Sequence, residues 1–211
     1  MDAVFDQLSN LKIIPFATIR NPEHAIPLAE ALLAGGSDVV SVSFQSQNAA
    51  ESIQAIATAF PEMFVGAGAV TNEEDISAAH IAGARFALTP GFDPIVADAA
   101  IAAGLPIIPG VMTPSNVSRS LRRGCRVLNF FFPATVLGTE MLGAILSAFR
   151  HTGVKVVATG GINIDNIADW LAIPDVVAVG ASWICPEELI EAEAWDQIAD
   201  RVRETLVKVQ G

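Results

Sequence analysis

Val154-Lys155-Val156-Val157-Ala158-Thr159-Gly160-Gly161-Ile162 is a short β-branched apolar run that ends in a glycine pair. About twenty residues later Val176-Val177-Ala178-Val179-Gly180-Ala181-Ser182 repeats the device. A buried strand that opens onto a glycine-rich loop, twice in succession, reads as the end of a parallel α/β chain. Working back toward the N-terminus, six further runs have the same character: Ile13–Ile19, Val39–Gln45, Met63–Gly68, Arg85–Thr89, Leu105–Ile108 and Val127–Phe131. Stretches of helical periodicity lie between them, such as Glu23–Leu33, Ala49–Phe60 and Ile76–Ala82. Asn21-Pro22, Asp93-Pro94 and Thr113-Pro114 each place a capping side chain before a proline at a first helical position. Thr71-Asn72-Glu73-Glu74-Asp75 puts acids where a helix dipole favours them, and Gly83, Gly104 and Gly153 stand where helical runs stop.

Eight such strand–helix units predict a parallel (β/α)8 barrel, a TIM barrel, with Met1–Leu11 as a short helix ahead of the first strand. A doubly wound open sheet fits less well, because Ile19-Arg20-Asn21-Pro22 is not the glycine fingerprint that such a sheet carries after its first strand. With no linker, repeat or composition break, residues 1–211 are expected to form one domain.

The composition narrows the partners. A net charge of −11 argues against nucleic acid and anionic membrane, which are held by Lys and Arg. No run of about 18 apolar residues and no basic-then-apolar leader occurs, so a cytoplasmic protein is expected. The two cysteines, Cys125 and Cys185, read as buried small hydrophobes. No His/Cys/Asp/Glu grouping has metal-ligand spacing, and no cofactor is implied. His24, His80 and His151 fall in or at the ends of helical stretches, while Asp93, Asp165 and Glu187 fall near helix starts and read as caps or dipole partners.

In this fold the reacting groups come from the C-terminal strand ends and the loops beyond them. Those positions hold Arg20, Ser41, Ser43, Gln45, Ser46, Thr89, Thr113, Asn129, Thr135, Thr159, Asn163 and Ser182, with glycines between them. Thr159-Gly160-Gly161 and Gly180-Ala181-Ser182 follow the last two strands, where backbone amides commonly hold a phosphate. Gly66-Ala67-Gly68 lacks the third glycine of a dinucleotide loop and reads as close packing.

Taken in order, several stretches resemble the 2-keto-3-deoxy-6-phosphogluconate / 4-hydroxy-2-oxoglutarate (KDPG/KHG) aldolases nearly end to end. They are Glu23-His24-Ala25-Ile26-Pro27, Val65-Gly66-Ala67-Gly68-Ala69-Val70, Thr89-Pro90-Gly91, Ile107-Ile108-Pro109-Gly110, Phe131-Phe132-Pro133-Ala134, Thr159-Gly160-Gly161-Ile162 and Gly180-Ala181-Ser182-Trp183. The resemblance implies a class I aldolase-like barrel, a homotrimer, and cleavage of a phosphorylated 2-keto-3-deoxy acid to pyruvate and an aldehyde. It implies phosphate contacts at Thr159, Gly160, Gly161, Gly180 and Ser182, and substrate contacts at Arg20, Gln45, Thr89 and Pro90.

The chain departs from the family at the catalytic positions. The Schiff-base lysine's place is held by Asn129 or Phe130, the acid/base glutamate's by Ser41, and the carboxylate-binding arginine's by Gln45. The threonine after Gly-Ala-Gly is Ala69. Of the lysines present, Lys12 and Lys155 are expected toward the barrel base and Lys208 in the last helix. Lys155 lies four residues before Thr159, about 13 Å of strand from the mouth. Without an amine there is no iminium to serve as electron sink. Three readings follow: a lyase of altered chemistry, a homologue that binds a phosphorylated ligand without turnover, and another phosphate-binding barrel isomerase or synthase.

Overall fold

The computed structural model describes residues 12–131 and 138–210. The expected helix over Met1–Leu11, Thr135 and the Phe132-Pro133-Ala134 stretch lie outside them. The strands are β1 (Lys12–Ala17), β2 (Val39–Ser43), β3 (Phe64–Gly68), β4 (Phe86–Leu88), β5 (Ile107–Ile108), β6 (Gly110–Val111), β7 (Val127–Phe131), β8 (Lys155–Thr159) and β9 (Val176–Ala181). Every pairing is parallel, and the strand order is β5-β4-β3-β2-β1-β9-β8-β7-β6. Only the single residue Pro109 separates β5 from β6, so the two ends of this order belong to one stave and the sheet curls into a TIM barrel.

The eight expected runs therefore become nine strands, and the reason is local. Pro109 has no amide hydrogen to donate into a ladder. Its carbonyl still accepts from the Asn129 amide at 2.9 Å, so the stave changes neighbour at that residue, from β4 to β7.

The helices are α1 (Ala25–Gly35), α2 (Ala49–Ala59), α3 (Glu73–Ile81), α4 (Pro94–Ala103), α5 (Pro114–Arg122), α6 (Gly138–Ser147), α7 (Ile167–Leu171), α8 (Glu187–Glu191) and α9 (Trp195–Gln210). The capping readings translate into contacts. Asp93 Oδ1 accepts from the Ile95 amide at 2.7 Å, Thr113 Oγ1 from the Asn116 amide at 3.2 Å, and Asn72 Oδ1 from the Asp75 amide at 2.7 Å. Asn21 caps a single 3-10 turn, Pro22–His24, which leads into α1. The last helix packs on the first at close range: a Cβ at Gly35 would lie 2.5 Å from that of Val202.

Two apolar layers result from the period-2 alternation of the strands. Ile14, Val39, Phe64, Phe86, Leu88, Ile108, Val127, Val157 and Ala178 fill the barrel, and the opposite strand faces pack against the helices. The Phe64 and Phe86 rings stack at 5.1 Å, and Gly66 leaves the space that Phe86 occupies. Removing an aromatic ring from such a plug costs about 3–5 kcal/mol. The plug closes the barrel below its C-terminal end, and the polar residues of β2, β7 and β8, with Thr89 just after β4, therefore gather at the mouth.

Candidate active site

Within β7 the inward positions are Val127, Asn129 and Phe131, while Leu128 and Phe130 pack outward among the helices. Of the two residues that the sequence leaves open at the lysine position, Asn129 faces the barrel and Phe130 does not. Asn129 is 4% exposed, and its amide is committed at both ends. Nδ2 donates to the Thr89 carbonyl at 3.0 Å, and Oδ1 accepts from Thr159 Oγ1 at 2.6 Å. Thr89 Oγ1 in turn donates to the Gly91 carbonyl at 2.6 Å and accepts from the Gly110 amide at 3.1 Å. One network thus ties β4, β6, β7 and β8 together across the top of the barrel.

Above this network lies a cavity of about 500 Å³, within the usual range for small-molecule sites. Phe16 forms part of its floor. The ring sits where Gly68 and Gly180 carry no side chain: a Cβ at Gly180 would lie 2.5 Å from Phe16 Cε2. Ser41 lies beneath that level. It is fully buried, does not line the cavity, and its Oγ has no hydrogen-bond partner. Ser43, two residues further on, does line it, as does Gln45, whose backbone nitrogen donates to Ser43 Oγ at 3.3 Å.

The opposite side of the mouth is built from the β8 and β9 loops. Gly160 and Gly161 have φ of 92° and 72°, the left-handed region that a side chain rarely adopts, and a pair of such residues makes the sharp turn there. Asn166 Nδ2 holds the turn by donating to the Gly161 carbonyl at 3.2 Å. The amides of Gly160, Gly161 and Ser182 make no hydrogen bond to another described residue. Gly160, Gly180, Ser182 and Thr159 all border the cavity, so an anion can be held there by backbone donors.

Arg20 and Glu187 meet beside the cavity. Arg20 Nε and Nη2 donate to the two Glu187 carboxylate oxygens, the second at 3.2 Å. The hydrogen bond from Arg20 holds the Glu187 carboxyl below the usual range, and the same bond raises the Arg20 guanidinium. Glu187 stands at a helix start, as expected, and has a second contact besides. It sits in the first turn of α8, lines the cavity and pairs with Arg20, 167 residues away in sequence. Cys185 also borders the cavity, but burial pushes its thiol up to about 12, so it stays protonated. Ala69, another lining residue, has φ of +53°, a strained conformation for a residue with a Cβ.

The lysines lie elsewhere. Lys12 Nζ donates to the Val209 carbonyl at 3.2 Å, Lys155 Nζ pairs with Asp175 Oδ1 at 3.2 Å at the barrel base, and Lys208 is exposed on α9. No lysine, arginine or histidine lines the cavity among the described residues. Of the histidines, His24 packs edge-on against Trp195, while His80 and His151 are exposed. Phe16 and Cys185 are lining residues with no sequence signal of their own, since each sits in a run that any buried strand or loop could carry, whereas Phe131 and Trp183 belong to stretches that carry the family resemblance.

A parallel barrel whose strand ends and loops gather around one polar-rimmed cavity defines a TIM-barrel protein with a candidate site at its mouth. The sequence model of the KDPG and KHG aldolase family matches residues 4–201. The chain is 39% identical over 207 residues to the 2-dehydro-3-deoxy-phosphogluconate aldolase of Treponema pallidum, covering 98% of this chain and 97% of that one. It superposes on the KDPG aldolase of Legionella pneumophila, in a structure with pyruvate captured at low pH as a covalent carbinolamine intermediate. The TM-score is 0.89, with 36% identity and 94% and 95% of the two chains covered. The Zymomonas mobilis KDPG aldolase with 3-phosphoglycerate gives a TM-score of 0.85 at 30% identity, covering 95% and 93%. The chain belongs to the KDPG/KHG aldolase family of aldehyde lyases.

Proposed function

We propose that this family member binds a phosphorylated small molecule of the sugar-acid class or a related anion, and that any carbon–carbon cleavage it performs does not pass through a protein iminium. The observation that carries the reading is Asn129 in an inward position of β7, with both ends of its amide engaged by Thr89 and Thr159. A carbinolamine requires a nucleophilic amine, and an amide nitrogen has its lone pair delocalised into the carbonyl. Proton transfer is also poorly served. Ser41 is buried below the floor, and among the described residues the ionisable side chains that border the cavity are Cys185 and Glu187. The phosphate end of the ligand is assigned to the loops of Gly160, Gly161 and Ser182, with Thr159 and Gly180 beside them. Arg20, Gln45, Thr89 and Pro90 are assigned to the remainder of the ligand. Two relatives support a ligand of this kind: the Legionella enzyme holds pyruvate and the Zymomonas enzyme 3-phosphoglycerate.

Borohydride treatment in the presence of pyruvate should leave the mass of the protein unchanged. Phosphorylated and unphosphorylated 2-keto-3-deoxy acids should then be assayed for pyruvate release. A borohydride-trapped pyruvyl adduct would sink the non-iminium reading. Burial of Ser41 favours a second reading, binding without turnover, which predicts no pyruvate release while phosphorylated compounds still raise the melting temperature. In either reading Gly161→Val should abolish that rise. A homotrimer in the cytoplasm completes the proposal, and sedimentation of the full chain tests the assembly.

A further inference from the structure

We propose that the mouth selects a phosphate ester whose other polar groups are uncharged, a sugar or polyol phosphate, over a phosphorylated sugar acid. This rests on the phosphate-anchored reading above and, of the two ligand classes named there, takes the related anion rather than the sugar acid. A phosphate on the β8 and β9 loops places the far end of the ligand toward β2 and β4, against Ser43, Gln45 and Thr89. Those groups are neutral. The Ser43 hydroxyl donates to Gln45 Oε1 at 3.4 Å and the Thr89 hydroxyl to the Gly91 carbonyl, so these oxygens offer a ligand acceptor lone pairs. The Gln45 side-chain nitrogen donates, and ligand hydroxyls, which both donate and accept, match the set. A carboxylate only accepts, and it would leave the acceptor atoms of such a wall facing a negative charge.

Nothing described at the lining compensates that charge. Arg20, whose guanidinium stands beside the cavity, has both of the donors described above on Glu187, so the pair presents no net charge to the ligand. Phe16, Ala69, Leu88 and Phe131 supply apolar wall, which strengthens the penalty for an unpaired ion. The net charge of −11 adds a general repulsion that grows with each negative charge on the ligand.

Glucitol 6-phosphate and 6-phosphogluconate share chain length, hydroxyls and phosphate, and differ at C1, a hydroxymethyl against a carboxylate. Calorimetric titration of the full chain with each, and with unphosphorylated glucitol, tests the inference. The polyol phosphate should bind about tenfold more tightly than the acid or better. Gln45→Arg should close that gap. Equal or tighter binding of 6-phosphogluconate by the wild type overturns this inference while phosphate anchorage stands. An unchanged ratio in Gln45→Arg overturns the placement of the ligand's far end and the proposal with it. If neither phosphorylated compound binds, or if glucitol binds as well as its phosphate, phosphate anchorage falls and takes this inference down.

Discussion

The two sides of the barrel mouth treat their polar atoms in opposite ways. On the β4–β7 side, Thr89, Asn129 and Thr159 satisfy one another through hydrogen bonds of 3.0 and 2.6 Å, and the Gly110 amide closes the network on Thr89. On the β8–β9 side, the amides of Gly160, Gly161 and Ser182 have no partner among the described residues. Polar groups that face each other in a buried layer hold the scaffold; polar groups left open at a rim stay free for water or a ligand. The same mouth thus has a half that is structural, the one that holds Asn129, and a half whose open amides make it the receptive one in the proposal above.

The comparison breaks most sharply at Gly110. A Cβ there would lie 2.2 Å from the Pro90 carbonyl carbon and 2.4 Å from the Gly91 nitrogen, both backbone atoms that cannot swing away. Gly110→Ala should therefore cost about 3 kcal/mol in urea unfolding. If that variant keeps wild-type stability, the β4–β6 approach is not the rigid seam described above. Next in size is Asn129→Ala, which strands the Thr159 hydroxyl and the Thr89 carbonyl and should cost about 2 kcal/mol. Ser182→Ala, on the receptive side, should change stability by less than about 0.5 kcal/mol while weakening phosphate-ligand binding. Equal losses for the Asn129 and Ser182 variants would erase the division between the two halves.

Much of this could be read from the chain. Proline-led helix starts and alternating apolar runs specify a parallel barrel because local capping and burial agree at each turn. The glycine pair before Ile162 marks the sharp turn after β8, where both residues take a positive φ. Three features resisted such reading. Pro109 splits a stave because one missing N–H matters only once the neighbouring strands are known. The phase of β7 is hidden because apolar residues occupy both of its faces, as in any strand of a buried parallel sheet, so Asn129 and Phe130 look equally eligible. The Arg20–Glu187 pair joins residues 167 apart, and no local pattern announces such a contact.

That pair provides the smallest expected effect and the clearest dependence on pH. Arg20 donates to the Glu187 carboxylate and holds its pKa below the ordinary value, so the folded state binds this proton less readily than the unfolded chain. The stabilisation it gives is therefore present above the unfolded glutamate pKa of about 4.3 and is lost as pH falls through the lower folded value. Between pH 6 and 9 the pair should contribute a constant amount, and a small one, because both side chains are solvent-accessible. Wild type and Glu187→Gln should accordingly differ slightly in urea midpoint at pH 7 and converge below pH 4. A gap that persists unchanged at low pH would show that the substitution acts through something other than the carboxylate charge. The same variant also tests how the mouth divides its charge. With its carboxylate partner removed, Arg20 becomes an unpaired cation beside the cavity, and affinity for 6-phosphogluconate should rise more than affinity for glucitol 6-phosphate. An equal rise for both would mean that Arg20 strengthens the phosphate end, and the neutral character of the far wall would then owe nothing to this ion pair.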